Sequence, residues 1–372
     1  MKTVRYGILG CGMMGREHLA NLALIEGAEV VAIAEPDADM KARASELVPE
    51  ATILDDMHTL LELPDLDALV IATPNYQHGD QLQHIISNTH LPILVEKPIV
   101  TRLDQVQAIK AATDKHPAPI WVGMEYRYMP PVAAFKKRLE DEQIGSMKML
   151  TIREHRFPFL KKVGDWNRFN RNTGGTLVEK CCHFFDLMRW ISGQEVVRVF
   201  ASTGQDVNHL DELYDGETPD IIDNGYVILD FSDGFRAMLE LSMFAEGSKY
   251  QETICATGPV GKLECFVPGP GRFWPEDKLG PAPEPKLVFS PRDGTGPVES
   301  AVTVDAELLS VGDHNGATHY EHQGFYRAIT DGGRVDVDAD DGLKAVVIGL
   351  AAQQSAATGK AVELSSDGLS FT

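Results

Sequence analysis

The chain has 372 residues, 43% of them hydrophobic, and a formal net charge of −21 from 55 acidic and 34 basic side chains. That length supports a substantial core and favours two domains over one. The acidic balance argues against nucleic acid or an anionic membrane as the main partner, since either needs a basic face. The five cysteines, Cys11, Cys181, Cys182, Cys255 and Cys265, include no C-x-x-C pair. Their odd number points away from a disulfide framework and towards a reducing cytoplasm. The opening MKTVRYGILG lacks a signal-peptide pattern, and no stretch is long and apolar enough to span a bilayer.

Residues 3–9 read as a buried strand running into Gly10-Cys11-Gly12-Met13-Met14-Gly15 and then a helix. This is G-x-G-x-x-G between strand and helix. Gly10 permits the tight turn, Gly12 lets the backbone approach a pyrophosphate, and Gly15 lets the helix pack on the strand. The helix N-terminus then offers free N–H groups to the anion. A second strand, 29–34, ends at Glu35, whose carboxylate suits ribose hydroxyls and repels a 2′-phosphate, so the cofactor expected is NAD rather than NADP. Further strands are predicted at 68–72, 93–95 and 120–122, with helices near 77–88 and 102–114 between them. That alternation makes a doubly wound parallel sheet, a Rossmann domain over residues 1–123. Ligands bind beyond the carboxyl ends of such strands, which is where Glu96 and Lys97 lie, with Pro98 ending the strand.

The pattern then changes. A helix is predicted from Pro130 to about Glu140, and strands at 147–155, 195–203, 224–231, 235–244, 250–256 and 260–266, with a hairpin turn at Ser232-Asp233-Gly234. Residues 124–372 are thus read as a second, strand-rich domain. Within it, 267–300 is a Pro/Gly-rich irregular insertion with a short strand near 286–289.

On a helical wheel for 176–191, Leu177, Cys181, Phe184, Met188 and Ile191 share an apolar stripe, with Lys180 beside it. Glu179, His183, Asp186 and Trp190 share the opposite side, which taken alone reads as a solvated face with an i, i+4 pair. Adjacent Cys181 and Cys182 point in different directions and cannot join His183 at one metal ion, and no second cluster has zinc-ligand spacing, so no metal is expected. The stretch from His155 through Arg156, Trp166 and Arg168 to Arg171 is dense in groups that suit a polyhydroxylated or carboxylated ligand, or equally a charged surface loop.

In order along the chain, the glycine loop, Ala72-Thr73-Pro74-Asn75-Tyr76-Gln77-His78, Glu96-Lys97-Pro98, Arg127-Tyr128-Met129-Pro130 and GGTLVEKCCHFFD (174–186) resemble the Gfo/Idh/MocA oxidoreductases, as does the tail from Asp341 to Val362. The resemblance implies an open antiparallel sheet covered by helices, a homodimer or homotetramer built on that sheet, a cis Lys97–Pro98 bond and a sugar, inositol or related polyol bound between the domains. It implies cofactor contacts from Gly10 to Gly15 and from Glu35, Thr73, Pro74, Asn75, His78, Glu96 and Lys97. Lys97, His183 and Glu179 would be catalytic, with Glu179 orienting His183. Tyr126, Arg127, Arg156, Trp166 and Arg168 would join Glu179 and His183 in binding substrate. Two positions depart from the family pattern: Glu179 stands for the usual Asp, and Glu125 for a common Asn. The reaction expected is hydride transfer between NAD and a secondary hydroxyl. Alternatives are transient oxidation followed by glycoside elimination, and a non-catalytic sugar or NAD sensor.

Overall fold

The computed structural model describes residues 2–372. The N-terminal half runs β1 (Val4–Leu9), α1 (Met13–Leu22), β2 (Ala28–Ala34), α2 (Ala38–Leu47), β3 (Thr52–Leu54), α3 (Met57–Leu61), β4 (Ala68–Ile71), α4 (Asn75–Asn88), β5 (Ile93–Glu96), α5 (Leu103–Thr113) and β6 (Ile120–Gly123). Its six strands lie in the order β3-β2-β1-β4-β5-β6 and are all parallel. Helices cover both faces, which is why β4, β5 and β6 are buried at every residue and, Glu96 apart, carry no charged or polar side chain. The sequence reading missed β3, a three-residue edge strand too short to show a period. The order reverses between β1 and β4, which opens a crevice at the carboxyl end of β1.

A 3₁₀ turn (Glu125–Tyr128) and α6 (Pro130–Glu140) lead to β7 (Met149–His155). Prolines at the first helical positions of α6 give up no hydrogen bond there. Short α7 (Asn170–Thr173) and α8 (Thr176–Glu179) precede α9 (Cys182–Ser192). Next come β8 (Val196–Gly204), β9 (Asn224–Phe231), β10 (Arg236–Ser242), β11 (Glu252–Thr257), β12 (Gly261–Val267), α10 (Glu276–Leu279), β13 (Lys286–Pro291) and β14 (Val298–Ala301). The chain finishes with α11 (Ala306–Val311), α12 (Ala317–Thr330), α13 (Ala339–Thr358) and β15 (Val362–Glu363). The nine strands are ordered β14-β13-β12-β11-β7-β10-β9-β8-β15, with β7 and β10 the parallel pair among antiparallel neighbours. The segment 267–300 is therefore less irregular than its composition suggests, because β13 and β14 extend the sheet edge.

One face of this sheet packs on α6, α9 and α13 through Phe135, Phe184, Met188 and Ile348. The other face is open, and Phe200, Tyr226 and Ile228 stand on it 43%, 55% and 45% exposed. The last helices serve both halves. Phe325 and Tyr326 of α12 pack with Val4 and Tyr6 of β1, while Leu343, Val346 and Val347 of α13 pack with Ile99 and Val122. The Val122 N–H donates to Val337 O at 3.0 Å, tying β6 to the segment before α13. A cut at residue 123 thus separates the sheets but not the cores.

The single helix expected over 176–191 is two. Cys181 N–H bonds back five residues to Thr176 O (3.2 Å), a π-type turn that rotates α9 relative to α8. The stripe that taken alone reads as a solvated face is mostly buried: Glu179, His183 and Asp186 are 3%, 2% and 0% exposed.

Candidate active site

The glycine loop sits at the carboxyl end of β1. Gly10 has φ +88°, and a Cβ there would fall 2.8 Å from the backbone of Ala72. A Cβ on Gly15 would fall 2.3 Å from Gly10 O, so the first turn of α1 lies directly against the loop. At Gly12 a Cβ would meet nothing within 4 Å, and no side chain caps α1. The free N–H groups of the helix therefore face open space, as pyrophosphate binding requires. Glu35 accepts from Cys11 N–H at 2.6 Å and from Asp37 N–H at 2.8 Å, one bond per oxygen. Each oxygen keeps a lone pair for a ribose hydroxyl. A dinucleotide fits this donor and acceptor set. Burial, and then Glu35, push the Cys11 thiol up to about 12, so it is inert at neutral pH.

Two residues expected to contact the cofactor, His78 and Glu96, act as braces in the structure. His78 is 1% exposed and bridges Thr73 O (2.8 Å) and Pro98 O (2.9 Å), fixing the chain ends after β4 and β5 to each other. Glu96 is also buried. One of its oxygens accepts the Lys97 N–H (3.1 Å), and the other lies 2.9 Å from His18 Nε2. His18 reaches on to His322 at 2.8 Å. Burial opposes the Glu96 charge, but His18 and Lys97 hold its pKa below the usual carboxylate range.

Lys97 follows β5 across a cis peptide bond to Pro98. It enters a cleft between the two halves, and its Nζ donates to Glu179 O at 3.3 Å. Burial opposes its charge, yet its pKa is raised by Cys182, Glu125, Glu96 and Glu179. The Cys182 thiol is itself pushed up to about 12 and is neutral near pH 7, so there the carboxylates supply the effect. Met13, Met14, Glu125, Tyr126, Arg156, Lys162, Glu179, Lys180 and His183 line the same cleft.

His183 stacks flat on Tyr126, with ring centroids 4.3 Å apart and planes at 12°. Burial, then the cations Lys97, Lys180, His314 and Arg156, push its pKa well below 6.5. The Glu179 carboxylate does not meet His183: Oε1 faces Lys162 Nζ at 3.5 Å, and Oε2 has no partner. The break between α8 and α9 is the physical reason, since it removes the i, i+4 register that paired them on the wheel. Glu125 is the carboxylate beside His183, 3.6 Å from Nε2.

Three residues expected at the substrate lie elsewhere. Arg127 is clamped bidentately by Asp186 (Nε–Oδ2 2.7 Å), with Asp341 and the Asp336 carbonyl completing its shell. Arg168, 2% exposed, pairs with Glu212 at 3.0 Å. Trp166 packs edge-on against Tyr76, with Lys162 4.7 Å above its ring, and does not line the cleft. The sequence reading assigned no site role to Lys162, Lys180, Glu252 or His314, which do line it. Lys180 is held 2.9 Å from Glu154 of β7, a pairing that no local spacing reveals.

Comparison with known proteins gives the lineage. A model of the oxidoreductase family's NAD-binding Rossmann fold matches residues 4–124, and one of its C-terminal alpha/beta domain matches 136–256. The inositol 2-dehydrogenase of Rhizobium meliloti is 26% identical over 97% of this chain and 99% of its own length. That of an Arthrobacter species is 31% identical over 55% of this chain and 58% of its own. The fold of levoglucosan dehydrogenase in complex with NADH superposes with a TM-score of 0.81 at 20% identity, covering 97% of this chain and 99% of that one. With the glycine loop, the strand-end lysine and the two-sheet architecture in place, the chain belongs to the Gfo/Idh/MocA family of oxidoreductases.

Proposed function

We propose that the protein is an NAD-dependent dehydrogenase acting on a secondary hydroxyl of an inositol, sugar or related polyol. The observation that carries this reading is the convergence of Lys97 and His183 in one cleft beside the uncapped N-terminus of α1. When bound, nicotinamide supplies the hydride acceptor or donor. The chain's own side chains handle the proton. His183, kept neutral by burial and neighbouring cations, takes the hydroxyl proton. Lys97, kept charged by its carboxylates, hydrogen-bonds the same oxygen and stabilises the developing alkoxide. Tyr126 holds the imidazole plane, and Arg156 and Glu179 face the bound polyol. The inositol 2-dehydrogenase relatives support the substrate class.

The test is purified protein with NAD or NADP against inositols, aldoses, uronates and glycosides, following reduced nicotinamide and free sugar together. Reduction with a polyol supports the reading. No reduction with any member sinks it, and glycoside cleavage without net reduction assigns the oxidation–elimination reaction instead.

NAD is the preferred dinucleotide in this reading, because the Glu35 carboxylate just after β2 suits ribose hydroxyls and would repel a 2′-phosphate. Glu35→Ala is expected to weaken NADH binding, measured by fluorescence titration, and to narrow the gap to NADPH. An unchanged ratio of the two affinities counts against the assignment. The five cysteines are free thiols, four of them buried, which suits a reducing compartment such as the cytoplasm. The open face with Phe200, Tyr226 and Ile228 suits a homo-oligomer interface. Ile228→Asp is expected to reduce the mass measured by light scattering while leaving the melting temperature of the protomer nearly unchanged. An unaltered mass rejects that face.

A further inference from the structure

The 3₁₀ turn after β6 grips His183 with two consecutive residues. Tyr126 covers the face of the ring, and Glu125 meets its edge at Nε2, 3.6 Å away. Glu125 is 1% exposed, and its second oxygen has no partner. On its other side the same Oε1 lies 3.7 Å from His314 Nε2, and His314 Nδ1 lies 3.0 Å from Glu17 Oε1 on α1. Thr318 Oγ1 donates to that Glu17 oxygen at 2.8 Å. Carboxylate and imidazole thus alternate in a row, Glu17–His314–Glu125–His183, from the cofactor helix to the candidate base. The helix residue Glu179 is outside this row, occupied by Lys162.

We infer that Glu125 is the positioning carboxylate of His183, taking the part that the sequence pattern gives to Glu179. The inference rests on the dehydrogenase reading above and adds a residue to it. Its physical basis is charge. When His183 takes a proton, a buried cation appears beside Lys97 just after β5, Lys180 just after α8, Arg156 just after β7 and His314 from before α12. An anion at the edge of the ring offsets that charge. Burial raises the Glu125 pKa and Glu96 adds to the rise, while His314 and Lys97 work against it and favour the ionised form. His314 can supply a positive charge because Glu17 and Glu125, against burial, raise it to about 9. Contacts of 3.6–3.7 Å are loose for hydrogen bonds, and such contacts tighten when a site fills.

The sign of the effect follows. An anion beside an imidazole favours its protonated form, so neutralising Glu125 lowers the pKa of His183. Alcohol oxidation needs neutral His183, so the acid limb of kcat/KM moves to lower pH in Glu125→Gln. The weaker base that remains lowers kcat by roughly tenfold or more, with KM changed much less. Glu125→Asp, which keeps the charge, restores the limb towards wild type, and Glu179→Gln leaves its position alone.

The second readout needs neither substrate nor cofactor. In ¹⁵N-histidine-labelled apo-protein, with the His183 signals assigned by His183→Asn, Glu125→Gln is expected to shift the His183 Nε2 resonance, and Glu179→Gln is not. An unmoved resonance in Glu125→Gln, an unmoved acid limb, or both moving in Glu179→Gln instead, overturns the inference. A shifted resonance alongside a failed polyol panel supports the Glu125–His183 pairing while the dehydrogenase reading falls.

Discussion

Lys97→Ala is expected to lower turnover by roughly 10²–10⁴-fold, the range for losing a group that acts on the reacting oxygen. NADH affinity is expected to stay within a few-fold of wild type. The two effects separate because the glycine loop and Glu35 lie at the ends of β1 and β2, whereas Lys97 lies at the end of β5. Lys97 is half-buried among Glu96, Glu125 and Glu179, so its charge is maintained inside the cleft. Alanine removes the donor that would face the developing alkoxide and leaves those carboxylates without their cation. Steady-state kinetics with the best substrate of the panel, beside fluorescence titration with NADH, measures both quantities. Full activity in the variant would reject Lys97 as a catalytic residue.

The largest stability effect is expected at Asp186. This carboxylate is fully buried and holds the Arg127 guanidinium through two hydrogen bonds. Asp186→Ala leaves a buried cation with only Asp341, 3.0 Å away, and the Asp336 carbonyl. Losing one member of such a pair costs about 3–5 kcal/mol, with Asp341 cushioning part of it. The intact pair is not strongly stabilising in itself. Burial outweighs the guanidinium at Asp186 and leaves its pKa above the ordinary value. The double variant Arg127→Met with Asp186→Leu is therefore expected to recover most of the loss. Urea unfolding of the three proteins checks this, and a double variant as unstable as Asp186→Ala would refute it.

The parallel sheet was legible because its strands are continuous apolar runs ended by glycine, proline or acidic residues. The placement of Lys97 was legible for the same reason, since the end of β5 in such a sheet opens on the cleft that Lys97 lines. The break between α8 and α9 was not. LVEKCCHFF has no proline or glycine, and a single backbone bond from Cys181 to Thr176 changes which side chains share a face. Arg127 and Arg168 were misplaced because an arginine-dense stretch looks alike whether its partners are substrate or distant carboxylates. Their partners, Asp186, Asp341 and Glu212, come from separate segments. The row through Glu17, Glu125, His183 and His314 joins four elements across nearly 300 positions. Only the tertiary fold assembles it.

The helices α12 and α13 also set the order in which the molecule can be made. The nucleotide-binding sheet is translated first, yet Val4, Tyr6, Ile99 and Val122 gain their final neighbours only when Phe325, Tyr326, Leu343 and Val347 arrive. Until then the nascent chain carries an unfinished apolar surface, the kind of exposed patch that chaperones cover. A truncation before Ala317 would leave the domain in that state permanently. Gene fusions and fragment libraries that treat the first 123 residues as self-sufficient would leave out the side chains of α12 and α13 that complete its core.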